Sequence, residues 1–174
     1  MSTVQRKKGP GATPQIAEMP SQKMAVVYTK GDPARVAPQA LRALYASVYA
    51  LKFALRKRGV DFKVAAPRTR WPNAHLVPNE EWVGVWGLPV PDDTAEPPQR
   101  AQGVAVRLEA WEYGTVAQVL HVGPYSDEMP TVERLHRFIA EQGYQIAGAH
   151  EEEYLTSPRA KVQKTIIRYP VCRK

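Results

Sequence analysis

The sequence predicts an α+β domain made of a duplicated strand-helix-strand-strand module. The two copies would form one pseudo-twofold antiparallel sheet, with helices on one face and a central ligand cleft. Two observations support this prediction. Each half of the chain carries one amphipathic segment of helical period, flanked by short runs of β-prone residues. Related turn and strand sequences also recur in the same order in both halves, and a unit with so few strands is too small to be stable alone.

The first repeat is expected over about residues 21–95. A β-prone run beginning at Met24 ends at a Gly-Asp-Pro turn, and the helical pattern that follows ends in a cationic turn capped by Gly59. Alternating apolar residues then indicate two strands, separated by a proline-rich connection at residues 67–80. The predicted elements are a strand at residues 24–29, a helix at 38–58, and strands at 61–66 and 81–90.

The second repeat is expected over about residues 103–172, after a proline-containing linker. A β-prone run stops at Gly123, Pro130 begins a helical pattern, and Gly143 lies where a C-terminal cap belongs. The predicted elements are strands at residues 103–111 and 116–122, a helix from about 130 to 142, an extended segment at 145–156, and a strand at 164–171.

The internal repeat also defines the domain organisation. Leu88-Pro89-Val90 at the end of the first copy matches Tyr169-Pro170-Val171 at the end of the second. Residues 1–20 are rich in Lys, Gly, Pro, Ser and Gln, which predicts a flexible leader. We therefore expect one domain over residues 21–174.

Charge and composition restrict the classes of partner. The chain has a formal charge of +7, but residues 24–172 contribute only +2 of it, so a direct nucleic-acid partner is not expected. The single cysteine, Cys172, cannot form an internal disulfide, which fits a reducing cytoplasm. No apolar run approaches the roughly 20 residues of a membrane span. The sequence thus indicates a cytoplasmic protein without a membrane partner, and it does not indicate an oligomeric state.

A dense acidic cluster near the end of the chain is the candidate site. Alternation along a strand places His150, Glu152 and Tyr154 on one face and leaves Glu151 and Glu153 on the other. One interpretation is an edge strand kept soluble by charge. The other places Glu152 in the cleft and leaves its two acidic neighbours to water. In the cleft, a desolvated carboxylate could pair with a cation or act as general acid or base.

Aromatic side chains could form the walls of such a cleft and offer ring faces to flat or cationic compounds. Taken singly, each is more common in a core. The candidate ligand-binding residues are His150, Glu152, Tyr154, Tyr45, Tyr49, Trp71, Trp86 and Trp111.

Motifs for other chemistries are missing from the sequence. His121, His136 and His150 do not have the spacing of metal ligands, so no metal site is expected. There is no Gly-rich phosphate loop, no nucleophile elbow and no paired cysteine motif. We therefore expect no cofactor.

Several strings resemble the GyrI-like small-molecule-binding family. In the second half they are Ala117-Gln-Val-Leu-His-Val-Gly-Pro-Tyr-Ser, Thr131-Val-Glu-Arg-Leu-His-Arg-Phe-Ile and Glu152-Glu-Tyr-Leu-Thr-Ser-Pro-Arg. The first half, including Lys30-Gly-Asp-Pro, is similar to the stand-alone branch of that family, so the resemblance extends over about residues 24–171. It implies the fold of the effector-binding domains of AraC-type and MerR-type multidrug regulators.

The resemblance implies that the cleft binds bulky aromatic, often cationic compounds. Glu152 matches the binding glutamate of the family, and Tyr154 lies beside it. We therefore expect a stand-alone domain that binds or sequesters hydrophobic aromatic small molecules. Some relatives are hydrolases that open the cyclopropane ring of DNA-alkylating natural products, so a detoxifying hydrolase using the same two residues is the first alternative. A gyrase-inhibitor-like protein-binding module is the second.

One segment departs from the family pattern. Relatives usually carry Pro-Leu-Glu-Gly-Leu-Trp-Trp after the strand that follows the first helix, whereas this chain has Pro67-Arg-Thr-Arg-Trp-Pro. The glutamate is missing, and Trp71 alone remains of the two tryptophans. We expect Arg68 or Arg70 to bring positive charge towards Glu152, with which either arginine could pair.

Overall fold

The computed structural model describes residues 9–174 and confirms the predicted α+β class. Nine strands form a curled antiparallel sheet, and two helices pack on one of its faces. The elements are β1 Gln15–Met19, β2 Gln22–Lys30, α1 Pro33–Arg56, β3 Arg68–Trp71, β4 Val83–Pro89, β5 Arg107–Trp111, β6 Gly114–Val122, α2 Met129–Glu141, β7 Tyr144–Ile146, β8 His150–Tyr154 and β9 Lys164–Arg173.

The sheet shows the duplication directly. Its strand order is β1-β6-β9-β8-β3-β4-β2-β5, and β7 pairs with the end of β9. The first repeat is β2-α1-β3-β4, and the second is β6-α2-β8-β9 with β7 added after its helix. The two repeats meet where β3 and β8 pair antiparallel at the centre of the sheet.

A bent two-stranded ribbon joins the two ends of this strand order. Residues 15–19 pair with 114–118, and residues 22–26 pair with 107–111, in one continuous register. The chain bends between these segments at Pro20-Ser21 on one strand and at Glu112-Tyr113 on the other. Because each strand of the ribbon passes from one repeat to the other, the ribbon curls the sheet and encloses its second face.

The ribbon corrects the predicted flexible leader. Instead of forming a leader, Gln15–Met19 is strand β1, and the Gly11 carbonyl accepts a hydrogen bond of 2.9 Å from the Leu120 amide. Ile16 packs against the core under α2, whereas Ala17 packs against the core inside the curl. Pairing with β6 orders a segment that is too polar to fold alone. Residues 1–8 of the predicted leader lie outside the described residues.

Helix α1 begins five residues earlier than predicted. Asp32 caps its N-terminus by accepting a 3.0 Å hydrogen bond from the Ala34 amide, and Pro33 is its first residue. The Gly-Asp-Pro sequence interpreted as a turn is therefore also a helix start. None of the helices in residues 9–174 has the length and apolar character needed to span a membrane.

The prediction of a strand at residues 61–66 is wrong. The strand that follows α1 is β3, which lies within the connection predicted at residues 67–80. Residues 68–71 form a strand because they pair with β8, where Arg68 and Arg70 lie directly opposite Glu153 and Glu151. The extended segment predicted at residues 145–156 contains two strands, β7 and β8, which are separated by three residues.

Candidate ligand-binding cleft

A cleft lies on the helical face of the sheet, between the two repeats. Its volume is about 1830 Å³, which exceeds the roughly 300–1,000 Å³ of common small-molecule pockets. Helix α1 packs over β2 and β4, and α2 packs over β6 and β7. The central strands β3 and β8 are therefore left to form the floor of the cleft, and both repeats contribute to its walls.

Strand β8 sends alternate side chains to the two faces of the sheet. His150, Glu152 and Tyr154 line the cleft, as alternation predicted. Glu151 and Glu153 do not face water, however, because they pair with arginines inside the curl. The side chain of Glu151 is only 2% exposed.

A charged cluster lies on the second-repeat side of the cleft. The Nε2 atom of His150 is 3.0 Å from Oε1 of Glu152 and 3.4 Å from Oε1 of Glu128. Its Nδ1 atom is 2.7 Å from the Tyr169 hydroxyl. The Tyr154 hydroxyl donates to the other carboxylate oxygen of Glu152. Both ring nitrogens of His150 therefore have hydrogen-bonding partners, and the Glu152 carboxylate is held in place by Tyr154.

The electrostatics of the cluster favour a protonated histidine. Burial would lower the pKa of His150, but hydrogen bonds and charge from Glu128 and Glu152 raise it to about 9. Burial would raise the pKa of Glu152, but His150 outweighs it and holds that pKa below its usual value. Burial raises the pKa of Glu128. With both carboxylates ionised, the cluster carries an excess of one negative charge.

The turn before α2 positions Glu128 against β8. Gly123 has φ of 135°, which favours glycine at this position. His121 is buried, and its ring nitrogens lie 2.8 Å from Oγ1 of Thr131 and 3.0 Å from the carbonyl oxygen of Pro124. These contacts connect the end of β6 to the start of α2 and fix the segment between them.

The first repeat contributes an aromatic wall. The ring of Trp71 contacts Trp82 and Trp86 edge-on, with centroid distances of 5.6 and 5.3 Å. Tyr45 stacks on Tyr49 with a centroid distance of 6.2 Å. All five side chains line the cleft, including the four that the sequence analysis named there.

Inside the curl, on the opposite face of the sheet, Glu151 is the centre of a buried ion network. Its carboxylate accepts hydrogen bonds of 2.6 Å from Arg168 Nη1, 2.8 Å from Arg70 Nε and 3.0 Å from the Tyr113 hydroxyl. Arg168 also donates to Gln118 at 2.9 Å. These contacts connect strands of both repeats behind the floor of the cleft.

The expected pairing of an arginine with Glu152 is wrong. Side chains on β3 alternate as they do on β8, so Arg68 and Arg70 share the inner face with the other two glutamates. Thr69, between them, is the β3 residue that lies opposite Glu152. The arginines that replace the family motif therefore do not reach the cleft.

Trp111, which the sequence analysis named as a cleft residue, also lies inside the curl. It packs there with Met24 and Val26, and the guanidinium carbon of Arg70 is 4.0 Å from its ring centroid. The reason is alternation along β5: Leu108 packs against the core under α1, so Trp111, three residues later, points to the opposite face.

Several residues that line the cleft were not predicted from the sequence. Glu128 and Tyr125 lie in the turn before α2, and Tyr169 lies on β9. The available signals were the Gly-Pro-Tyr sequence after β6 and the acidic residue just before a helix start. Neither signal shows which side chains turn towards β8, since that depends on the buried contacts of His121.

Glu128, His150 and Glu152 form the one group of metal-ligand type within residues 9–174, with ligand atoms within 4.8 Å of one another. In the structure the His150 ring lies between the two carboxylates as an ion-pair partner. The cluster therefore presents carboxylate charge and tyrosine hydroxyls to the cleft.

Residues 12–170 match the model of the GyrI-like small molecule binding domain. No curated protein sequence matches the chain significantly. The family match covers nearly the whole chain and confirms the resemblance found in the sequence.

Solved structures show the same fold. An uncharacterized conserved protein from Listeria innocua is 27% identical, with 94% of each chain covered and a TM-score of 0.83. A hydrolase from Listeria innocua is also 27% identical, with 94% of each chain covered and a TM-score of 0.80. The C-terminal domain of EcmrR is 13% identical, with 93% of this chain and 98% of that chain covered and a TM-score of 0.59, a likeness of fold alone.

Proposed function

This chain belongs to the GyrI-like family of small molecule binding domains, and we propose that its ligands are bulky aromatic compounds, with a preference for cations. The single observation that supports this proposal best is the position of Glu152. Its carboxylate lies in a cleft whose other wall is formed by Tyr45, Trp71 and neighbouring aromatic rings.

The geometry suits such a ligand in two ways. Flat apolar rings gain from burial against the half-buried side chains of Tyr45 and Trp82, and ring faces attract cations. The partly buried carboxylates of Glu128 and Glu152 exceed the one positive charge of His150, so a cationic group on the ligand restores neutrality. An anionic group would face the same excess charge unfavourably. We expect the domain to bind or sequester these compounds in the cytoplasm.

A thermal-shift screen of aromatic cations, neutral aromatics and aromatic anions tests the proposal. A ligand that binds only the folded protein stabilises it by about 2.7 kcal/mol at 100 times its dissociation constant. We expect the largest increases in Tm with the cations and the smallest with the anions. A screen in which no aromatic compound raises Tm would contradict the proposal.

A second candidate function is hydrolysis of a strained aromatic electrophile, such as a cyclopropane-bearing alkylating compound. The observations that favour it are the similar Listeria innocua hydrolase and two cleft carboxylates whose pKa values are shifted in opposite directions. Glu152 would take a proton from water as its oxygen bonds to a cyclopropane carbon and the ring C–C bond breaks, and Glu128 would protonate the atom that receives the released electron pair. Tyr154 would orient the substrate.

Turnover separates the two candidates. The protein is incubated with a cyclopropane-bearing alkylator, and the ring-opened product is followed by chromatography. Product in excess of the protein, lost in the Glu152→Gln variant, supports hydrolysis. Substrate that stays intact while it binds supports a binding domain alone.

A further inference from the structure

The two walls of the cleft differ in chemistry. Within the described residues, the carboxylates in the lining all come from the second repeat. The first repeat contributes aromatic and aliphatic side chains, together with the exposed Lys63 and His75. We call the two regions the apolar subsite and the charged subsite. The apolar subsite consists of Leu41, Tyr45, Trp71, Trp82 and Trp86, and the charged subsite consists of Glu128, His150, Glu152 and Tyr169.

The duplication explains why there are two regions. Aligning the ends of β4 and β9 and following the strand registers makes Thr69 the equivalent of Glu152, and Trp71 the equivalent of Tyr154. The two repeats therefore direct corresponding positions to the same face of the sheet, where Trp71 lines the cleft and Thr69 is fully buried. The carboxylate of Glu152 and the phenol of Tyr154 in the second repeat thus correspond to the hydroxyl of Thr69 and the indole of Trp71 in the first.

The lining of the cleft extends beyond its floor on both sides, although Trp71 and His150 lie directly opposite each other on β3 and β8. Trp86 lies on β4 and Tyr169 on β9, and the strands between them follow the order β4-β3-β8-β9. Three strand spacings correspond to about 14 Å. That width and the volume of about 1830 Å³ leave room beside a bound aromatic cation of ordinary size.

We propose that the apolar subsite binds an uncharged planar aromatic group at the same time as the charged subsite binds a cationic group. The natural ligand class would then be a two-part compound, with a flat apolar body and a separate cationic head. This inference rests on the proposed binding function, and it adds a second position that does not depend on Glu152.

Equilibrium dialysis with two separate probes tests the proposal on the full chain. The uncharged probe is N-phenyl-1-naphthylamine, and the cationic probe is ethidium. When both are present at saturation, we expect one molecule of each to bind per protein chain. Mutual displacement, with one molecule bound in total, would overturn the two-subsite inference while leaving the proposed function intact. If ethidium alone binds, the two-subsite inference is wrong and the proposed function stands; if neither probe binds by itself, both are contradicted.

Matched variants assign each probe to its subsite. Ala37 on α1 lines the cleft beside the apolar subsite, whereas Ala46 on the same helix is exposed outside the lining. Ala37→Phe should weaken the uncharged probe about tenfold or more by filling the space, and should change ethidium binding less than about threefold. Ala46→Phe should change neither.

Glu152→Gln should show the opposite selectivity, weakening ethidium about tenfold or more. Tyr45→Leu provides a second variant of the apolar subsite if Ala37→Phe does not fold, because its side chain is half-buried. If a variant of the apolar subsite weakens both probes equally, the inference is wrong.

Discussion

Arg168 donates a 2.6 Å hydrogen bond to Glu151 inside the curled sheet, directly behind the cleft carboxylate of Glu152. Neighbouring glutamates of identical chemistry therefore have different roles. One stabilises the pairing of the two repeats, and the other faces the ligand site.

We predict that Glu151→Gln strongly destabilises the protein. The change leaves the guanidinium group of Arg70 without its carboxylate partner and leaves Arg168 with Glu153 alone. Removal of one member of a buried ion pair costs about 3–5 kcal/mol. Urea denaturation measures the loss, and Glu112→Gln on the exposed bend of the ribbon is the control. Equal free energies of unfolding for the two variants would refute the role of the network.

We also predict that β1 stabilises the fold. A variant that lacks residues 1–19 loses the pairing of β1 with β6 and the packing of Ile16 and Ala17. The expected loss is about 2–4 kcal/mol. A variant that lacks only residues 1–8 retains β1 and serves as the comparison in the same thermal melt. Identical Tm values for the two variants would show that β1 contributes nothing.

His150 should make stability depend on pH. Its pKa is raised from 6.5 to about 9 by Glu128 and Glu152. Protonation therefore stabilises the fold fully below about pH 6.5, and this contribution is lost as the pH rises through about 9. The shift corresponds to roughly 3 kcal/mol at most. Between pH 6.5 and 9, Tm of the wild type should fall more than Tm of His150→Gln, and parallel curves would contradict the assignment.

The sequence was sufficient for the fold class and for the alternation on β8. Duplicated turns and periodic apolar residues are local signals, and alternation alone places His150, Glu152 and Tyr154 on one face of the strand. The sequence was not sufficient to predict β1 or β3, because these strands form by pairing with residues about 100 and 80 positions away in the chain.

The same limit explains the errors at the site. Arg68 and Arg70 were assigned to the wrong face because the register between β3 and β8 cannot be read from either strand alone. Trp111 was misplaced because its face depends on which side of β5 packs under α1, and Leu108 takes that side. Glu128 was missed because it reaches the cluster through a turn fixed by a buried histidine.

The most direct test of the account is a calorimetric titration of ethidium into the wild type, Glu152→Gln and Glu112→Gln. Loss of the cleft carboxylate charge should weaken binding by about 1.5–3 kcal/mol, the range for a charge-assisted hydrogen bond. The exposed control should change binding by less than about 0.5 kcal/mol. If Glu152→Gln binds ethidium as tightly as the wild type does, the cleft carboxylate does not recognise the ligand and the account is wrong.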